Sequence, residues 1–95
     1  MNLNELENIL FKKFQEFLTD RAIEMPDDLS IQKRILDVED LDSLDVTELF
    51  INFEEELGIE FPDKFQDFEA MKSISSIAKY IEANYQIGGN RVETL

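Results

Sequence analysis

Residues 40–63 read DLDSLDVTELFINFEEELGIEFPD. Between Ser43 and Leu57 the apolar side chains Val46, Leu49, Phe50, Phe53 and Leu57 recur at three- and four-residue spacings. At about 100° per residue they fall on one side of a helix, and that stripe is a core face. Gly58 stands where the helix has to stop, because the residue past the end takes a left-handed backbone that glycine adopts without steric penalty. At the start, Asp42 and Ser43 both carry side chains able to cap. The stretch therefore predicts one amphipathic helix over about 43–57, with acid at both ends.

The neighbouring segments supply what this helix packs against. Leu3, Leu6, Leu10, Phe14 and Phe17 lie on one face of a predicted helix over 3–19, with Ile9 and Leu18 at its edges. That pattern gives way at DRAIEMPDDLS, where Pro26 and two aspartates mark a loop. Residues 29–41 read two ways: Ile31, Ile35 and Leu36 form a helical turn, or they pin a long loop to the core. After Pro62, Asp63 can cap a short helix holding Phe65, Phe68 and Met71, with Gln66 at capping-box spacing. Ser73 can cap a last helix whose inner face is Ile74, Ile77, Ala78, Ile81 and Tyr85. Gly88 and Gly89 end the ordered pattern. The expected domain is residues 1–87, and 88–95 is expected to be a flexible tail. The fold class is all-α: a small bundle of three main helices plus one or two short helices, with a long loop between the first and second main helices.

With 95 residues one domain is expected. There is no cysteine and no histidine. That removes disulfides, thiol nucleophiles, the commonest general base and the commonest transition-metal ligand. No convergent acid–base pair in an apolar cleft can be read from the chain, so an enzyme is not expected. Counting from Asp37, a calcium loop fails as well: Leu41 and Asp42 stand where a ligand and a glycine are needed. No metal site is expected.

Lys plus Arg number 9 against 22 Asp plus Glu, a net charge of −13. Such a surface repels nucleic acid and anionic lipid and attracts basic protein surfaces and, loosely, divalent cations. Yet 43% of residues are hydrophobic, including eight Phe, which separates the chain from a disordered acidic tail. No apolar run approaches the roughly 18–20 residues of a membrane span. The opening MNLNELENILFKKF has helical periodicity and acid where a secretory signal has basic residues. A cytoplasmic monomer is expected, with no stable membrane insertion.

Two apolar residues of the central helix leave its core face. Leu44 and Ile51, seven apart, project to the outer side beside Thr47, Glu48 and Glu55. Aligned apolar residues edged by acid suggest a docking surface, although Leu44 can also pack under the preceding loop. Asp40, Asp42 and Asp45 sit near the positive end of the helix dipole, which favours them by about 0.3–1 kcal/mol each. Glu54, Glu55 and Glu56 sit at the opposite end, where the dipole and their mutual repulsion disfavour them. They imply a counter-ion or a partner. Ser43 is open to two readings: a helix cap, or an exposed hydroxyl to which a phosphodiester could be joined beside free backbone N–H groups.

DSLDVTELFINFEEELGIEFPD, residues 42–63, closely resembles the acyl carrier protein motif in its D-S-L, its following E-L, its F-E-E-E run and its acidic proline ending. The resemblance extends more loosely over residues 3–85. It implies that Ser43 receives 4′-phosphopantetheine from coenzyme A through a phosphopantetheinyl transferase, and that Asp42 supports the transfer. It implies a thioester-held acyl or aminoacyl group, and a carrier with no catalytic group of its own. Leu44, Asp45, Thr47, Glu48, Ile51 and Glu55 resemble the face read by basic docking surfaces of partner enzymes: acyltransferase, ketosynthase or adenylating enzymes. Val46, Phe50 and Phe53 resemble the lining of an interior where an acyl chain shelters.

Three features depart from the family pattern. Glu39 and Asp40 replace a Leu-Gly pair, the segment after Pro62 is long, and a tail follows Tyr85. These favour a freestanding carrier in a specialised lipid or secondary-metabolite pathway over housekeeping fatty acid biosynthesis. The alternatives are an aminoacyl or peptidyl carrier, suggested by the longer 63–72 segment, and a non-covalent acidic adaptor that binds basic partners.

Overall fold

Asn2 opens the first helix by a reciprocal cap. Its side chain accepts from the Glu5 N–H at 2.8 Å, and the Glu5 carboxylate accepts from the Asn2 N–H at 3.0 Å. The computed structural model describes residues 2–62 and 72–85. Among these the chain forms α1 (Leu3–Asp20), α2 (Ser43–Leu57) and α3 (Ile74–Asn84), plus a single 3₁₀ turn at Ile35–Asp37. The short helix expected after Asp63 and the tail expected at 88–95 lie outside the described residues. Among the described residues, three α-helices and one short turn are thus the helical content on which the all-α bundle rests.

The apolar stripes do what their spacing predicts. Leu6, Leu10, Phe14, Phe17 and Leu18 of α1 are buried, with Leu18, expected at the edge, fully enclosed. Val46, Leu49, Phe50, Phe53 and Leu57 of α2 join Ile74, Ile77, Ala78 and Ile81 of α3 in the same core. Each fully buried aliphatic or aromatic side chain stabilises the fold by about 1.5–3 kcal/mol. Tyr85, expected on the inner face of this helix, instead stands just past its end in extended backbone, because α3 stops at Asn84. Its ring meets Phe61 and Tyr80 edge-on, and its hydroxyl donates to the Glu60 carbonyl at 2.7 Å. Partial burial, and then the neighbouring Tyr80, push its phenol above the ordinary tyrosine pKa.

The long loop, residues 21–42, is a structured connection. A loop this long without order of its own is uncommon in a small domain. This one is held by Ile35, Val38 and Leu41, all buried in the core. The Ile31 carbonyl accepts from the Ser75 N–H at 2.8 Å, and Arg34 pairs with Ser73 in a single antiparallel bridge. Of the two readings of 29–41 the pinned loop holds: the helical turn is confined to Ile35–Asp37, Ile31 lies outside it, and Ile35 is its buried anchor. Leu36, the outer residue of that turn, stays exposed.

Asp40 closes the loop with φ +70°. This left-handed backbone is natural to glycine, and among other residues Asp and Asn tolerate it best. The acid therefore stands in a glycine conformation where the carrier motif has its Leu-Gly pair. Replacing Asp40 with Val should cost about 1–2 kcal/mol in urea unfolding, because a β-branched side chain clashes there. Asp40→Gly should cost nothing measurable, since relief of the backbone offsets glycine's greater chain entropy.

Candidate functional site

The start of α2 decides how Ser43 is presented. Asp42 is the cap: its carboxylate accepts from the Asp45 N–H at 2.9 Å. Asp45 reciprocates, accepting from the Asp42 N–H at 3.2 Å. This is a capping box built from two aspartates, with acid at the favourable end of the helix dipole. Ser43 is consequently the first helical residue rather than the cap. It is exposed, and its hydroxyl has no hydrogen-bond partner among the described residues. The backbone N–H groups of the first turn that the box leaves over have no partner within the helix. The site therefore offers a free hydroxyl beside unpaired N–H donors at a positive helix end.

The outer face of α2 runs away from this point. Leu44, Thr47, Glu48, Ile51 and Glu55 are all exposed and follow one another at helical spacings on one side. Leu44 is 74% exposed and Ile51 45%, so Leu44 does not pack under the loop. The Thr47 hydroxyl turns back to the Ser43 carbonyl at 3.0 Å. Inside, Val46, Phe50 and Phe53 are buried, Phe50 stacking on Phe53 and meeting Phe61 edge-on. Among the described residues no helix is long and apolar enough to cross a membrane, and no group of carboxylates converges as a metal site.

The glutamates at the end of α2 divide into two kinds. Glu54 accepts from the Phe61 N–H, fixing the chain as it leaves the helix. Glu56 pairs with Lys13 at 3.2 Å. That hydrogen bond, together with the charge of Glu56, raises the Lys13 pKa above its usual value. Structure accounts for these two. Glu55 is left exposed on the outer face of α2.

Sequence reasoning missed Arg21. Its guanidinium lies 4.5 Å from the centre of the Phe17 ring and reaches Asp45 at 3.1 Å and Glu48 at 2.7 Å. Arg21 ends α1, and Lys13, earlier in α1, meets Glu56 near the end of α2. The two helices therefore run antiparallel, and this packing alone brings Arg21 to the acids. No spacing rule links residues so far apart in the chain. The only hint was a lone cation at a helix C-terminus, where the dipole favours one.

The family described as phosphopantetheine attachment site matches residues 21–81, the span from Arg21 through most of α3. An acyl carrier protein of Clostridium perfringens (strain SM101 / Type A) is 33% identical over 72 residues, covering 76% of this chain and 92% of the relative. One from Campylobacter hominis is 34% identical over 73 residues, covering 77% and 90%. One from Bdellovibrio bacteriovorus is 31% identical over 70 residues, covering 74% and 87%.

The geometry separates capping from presentation. Asp42→Ala removes the cap and should lower unfolding stability by about 1 kcal/mol. Ser43→Ala removes a hydroxyl with no bonded partner and should change stability by less than about 0.5 kcal/mol. Urea unfolding of the two variants checks both.

Proposed function

The chain belongs to the phosphopantetheine-attachment family of acyl carrier proteins, which are carriers rather than enzymes and hold a covalently attached 4′-phosphopantetheine; from that premise we propose that Ser43 is the attachment residue. The observation that carries this is the aspartate capping box, which leaves Ser43 exposed and unbonded at the first position of α2. In the attachment step the Ser43 oxygen attacks the phosphorus of coenzyme A that bears the pantetheine arm. A new P–O bond forms, the pyrophosphate bond breaks, and adenosine 3′,5′-bisphosphate leaves. The transferase takes the hydroxyl proton.

The residues present suit a phosphodiester. Unpaired N–H groups and the helix dipole favour the added negative charge. Asp42 and Asp45 oppose it, but each spends an oxygen on capping, and Asp45 is also neutralised by Arg21. In our reading Asp42 serves attachment by fixing the helix start, and so the direction in which Ser43 points. Once attached, the arm supplies a terminal thiol that holds the cargo as a thioester.

Acyl carrier proteins work with enzymes of acyl metabolism. The partners proposed here are a phosphopantetheinyl transferase and acyltransferase, ketosynthase or adenylating enzymes. They read Leu44, Asp45, Thr47, Glu48, Ile51 and Glu55. Two exposed apolar side chains set among carboxylates suit an apolar contact with a basic rim. Asp40 at the loop end, in place of a glycine, supports a specialised lipid or secondary-metabolite pathway, and the cytoplasm is the compartment in which coenzyme A-dependent loading is proposed to occur.

Intact mass after incubation with coenzyme A and a broad-specificity phosphopantetheinyl transferase tests the attachment. The native protein should gain one phosphopantetheine and Ser43→Ala none. No gain by folded native protein would leave α2 as a purely non-covalent acidic surface. The docking face makes a second prediction. Transferase affinity should fall between about 0.1 M and 1 M salt, as the screening length shrinks from about 10 to about 3 Å. Glu48→Lys should weaken binding more than Glu24→Lys in the loop, and equal effects would remove the face from recognition.

A further inference from the structure

The outer ridge of α2 alternates apolar and acidic side chains: Leu44, Glu48, Ile51, Glu55. It spans about 16 Å along the helix. Its two ends differ electrically. At the Ser43 end, Arg21 bridges Asp45 and Glu48 in a single fork, at 3.1 and 2.7 Å. At the far end, Glu55 has no cation among the described residues. Arg21 is braced on the Phe17 ring, so it reaches the acids with part of its stem already ordered. Its side chain and that of Glu48 remain solvent-accessible, at 33% and 56% exposure, so an incoming group can reach the pair.

We propose that Arg21 is a built-in competitor for the partner's cation, occupying Asp45 and Glu48 in the free carrier and yielding them only to an enzyme that brings its own Arg or Lys to that point. The proposal rests on the reading of this ridge as the docking face. The occupant it commits to is an enzyme surface with one cation opposite Glu55, an apolar patch for Ile51 and Leu44, and a second cation able to displace Arg21. An enzyme with only the first cation docks at the far end and gains nothing near Ser43. Arg21 thereby makes the acidic face selective: it subtracts affinity from every partner and subtracts least from one with a well-placed guanidinium. Exposed ion pairs exchange easily because water and salt already screen them, which is what a displaceable internal counter-ion requires.

The test is steady-state transfer of phosphopantetheine to the apo-protein, with KM and kcat measured separately. Arg21→Gln should lower KM for the protein roughly two- to tenfold, the scale of releasing one or two exposed ion pairs. The change should lie mainly in KM. Lys12→Gln, which alters net charge equally but earlier in α1, should shift KM less than Arg21→Gln does. A double-mutant cycle adds a readout that loss of packing does not move. Glu48→Gln should raise KM more in the Arg21→Gln background than in the native one, because only there is the carboxylate free for the partner. Thermal unfolding of each variant confirms that it is folded. An unchanged or raised KM in folded Arg21→Gln, with native protein modified normally, overturns the competitor and leaves the attachment reading intact. If native protein is not modified at all, the attachment reading fails and the competitor falls with it.

Discussion

The reciprocal cap between Asp42 and Asp45 is the constraint on which the functional end of this molecule depends. Two short carboxylate side chains satisfy each other's backbone N–H groups across one turn. Because Asp42 takes the capping role, Ser43 is drawn into the first helical position with its hydroxyl unspent. Because Asp45 reaches back with one oxygen, its other oxygen faces the end of α1, where Arg21 meets it. One local motif thus leaves the serine unbonded and turns one oxygen of Asp45 toward the end of α1. Serine at the capping position would have tied its oxygen to a backbone N–H, and the attachment proposed for it would compete with helix stability.

A net charge of −13 on a small domain carries a cost in self-repulsion. Among the described residues, three cations stand beside acids. Lys13 lies between Glu16 and Glu56, Arg21 between Asp45 and Glu48, and Lys33 beside Asp28. Exposed pairs of this kind contribute little stability one by one. Their effect is to relieve local repulsion while the apolar core holds the helices together. What they leave over is informative: Glu55 sits in the last turn of α2, opposed by the helix dipole, with neither the backbone bond of Glu54 nor the lysine of Glu56. It is the acid at this helix end that folding does not explain.

The long loop shows how a small chain secures a non-helical segment. Buried Ile35, Val38 and Leu41 anchor residues 21–42 along the core, and the start of α3 supplies the backbone partner for Ile31. The loop reaches Asp42 already ordered, so the cap forms on a held backbone. The left-handed turn at Asp40 is the last adjustment before the helix begins.

The sequence by itself determined the three helices, most of their inner faces and the outward direction of Ile51, because helical periodicity is local and burial follows from it; the exposure of Leu44 and the place of Tyr85 just past α3, off its inner face, were decided by the tertiary structure. The sequence also marked Gly58 as the stop of α2, and the structure gives that glycine φ +67°. It left open whether Asp42 or Ser43 caps α2, since both side chains can accept the same kind of bond and only the backbone geometry chooses. It did not reveal that Arg21 would neutralise Asp45 and Glu48, that Lys13 would answer Glu56, or that Glu54 would hold the Phe61 N–H. Those pairings join groups on different elements, or across a helix end. The Arg21 and Lys13 pairings exist because α1 and α2 pack antiparallel, a choice made by the summed burial of their apolar faces and not by any residue near the site. The hydroxyl and its acidic surroundings were legible from local chemistry; which of those acids are free was decided by packing.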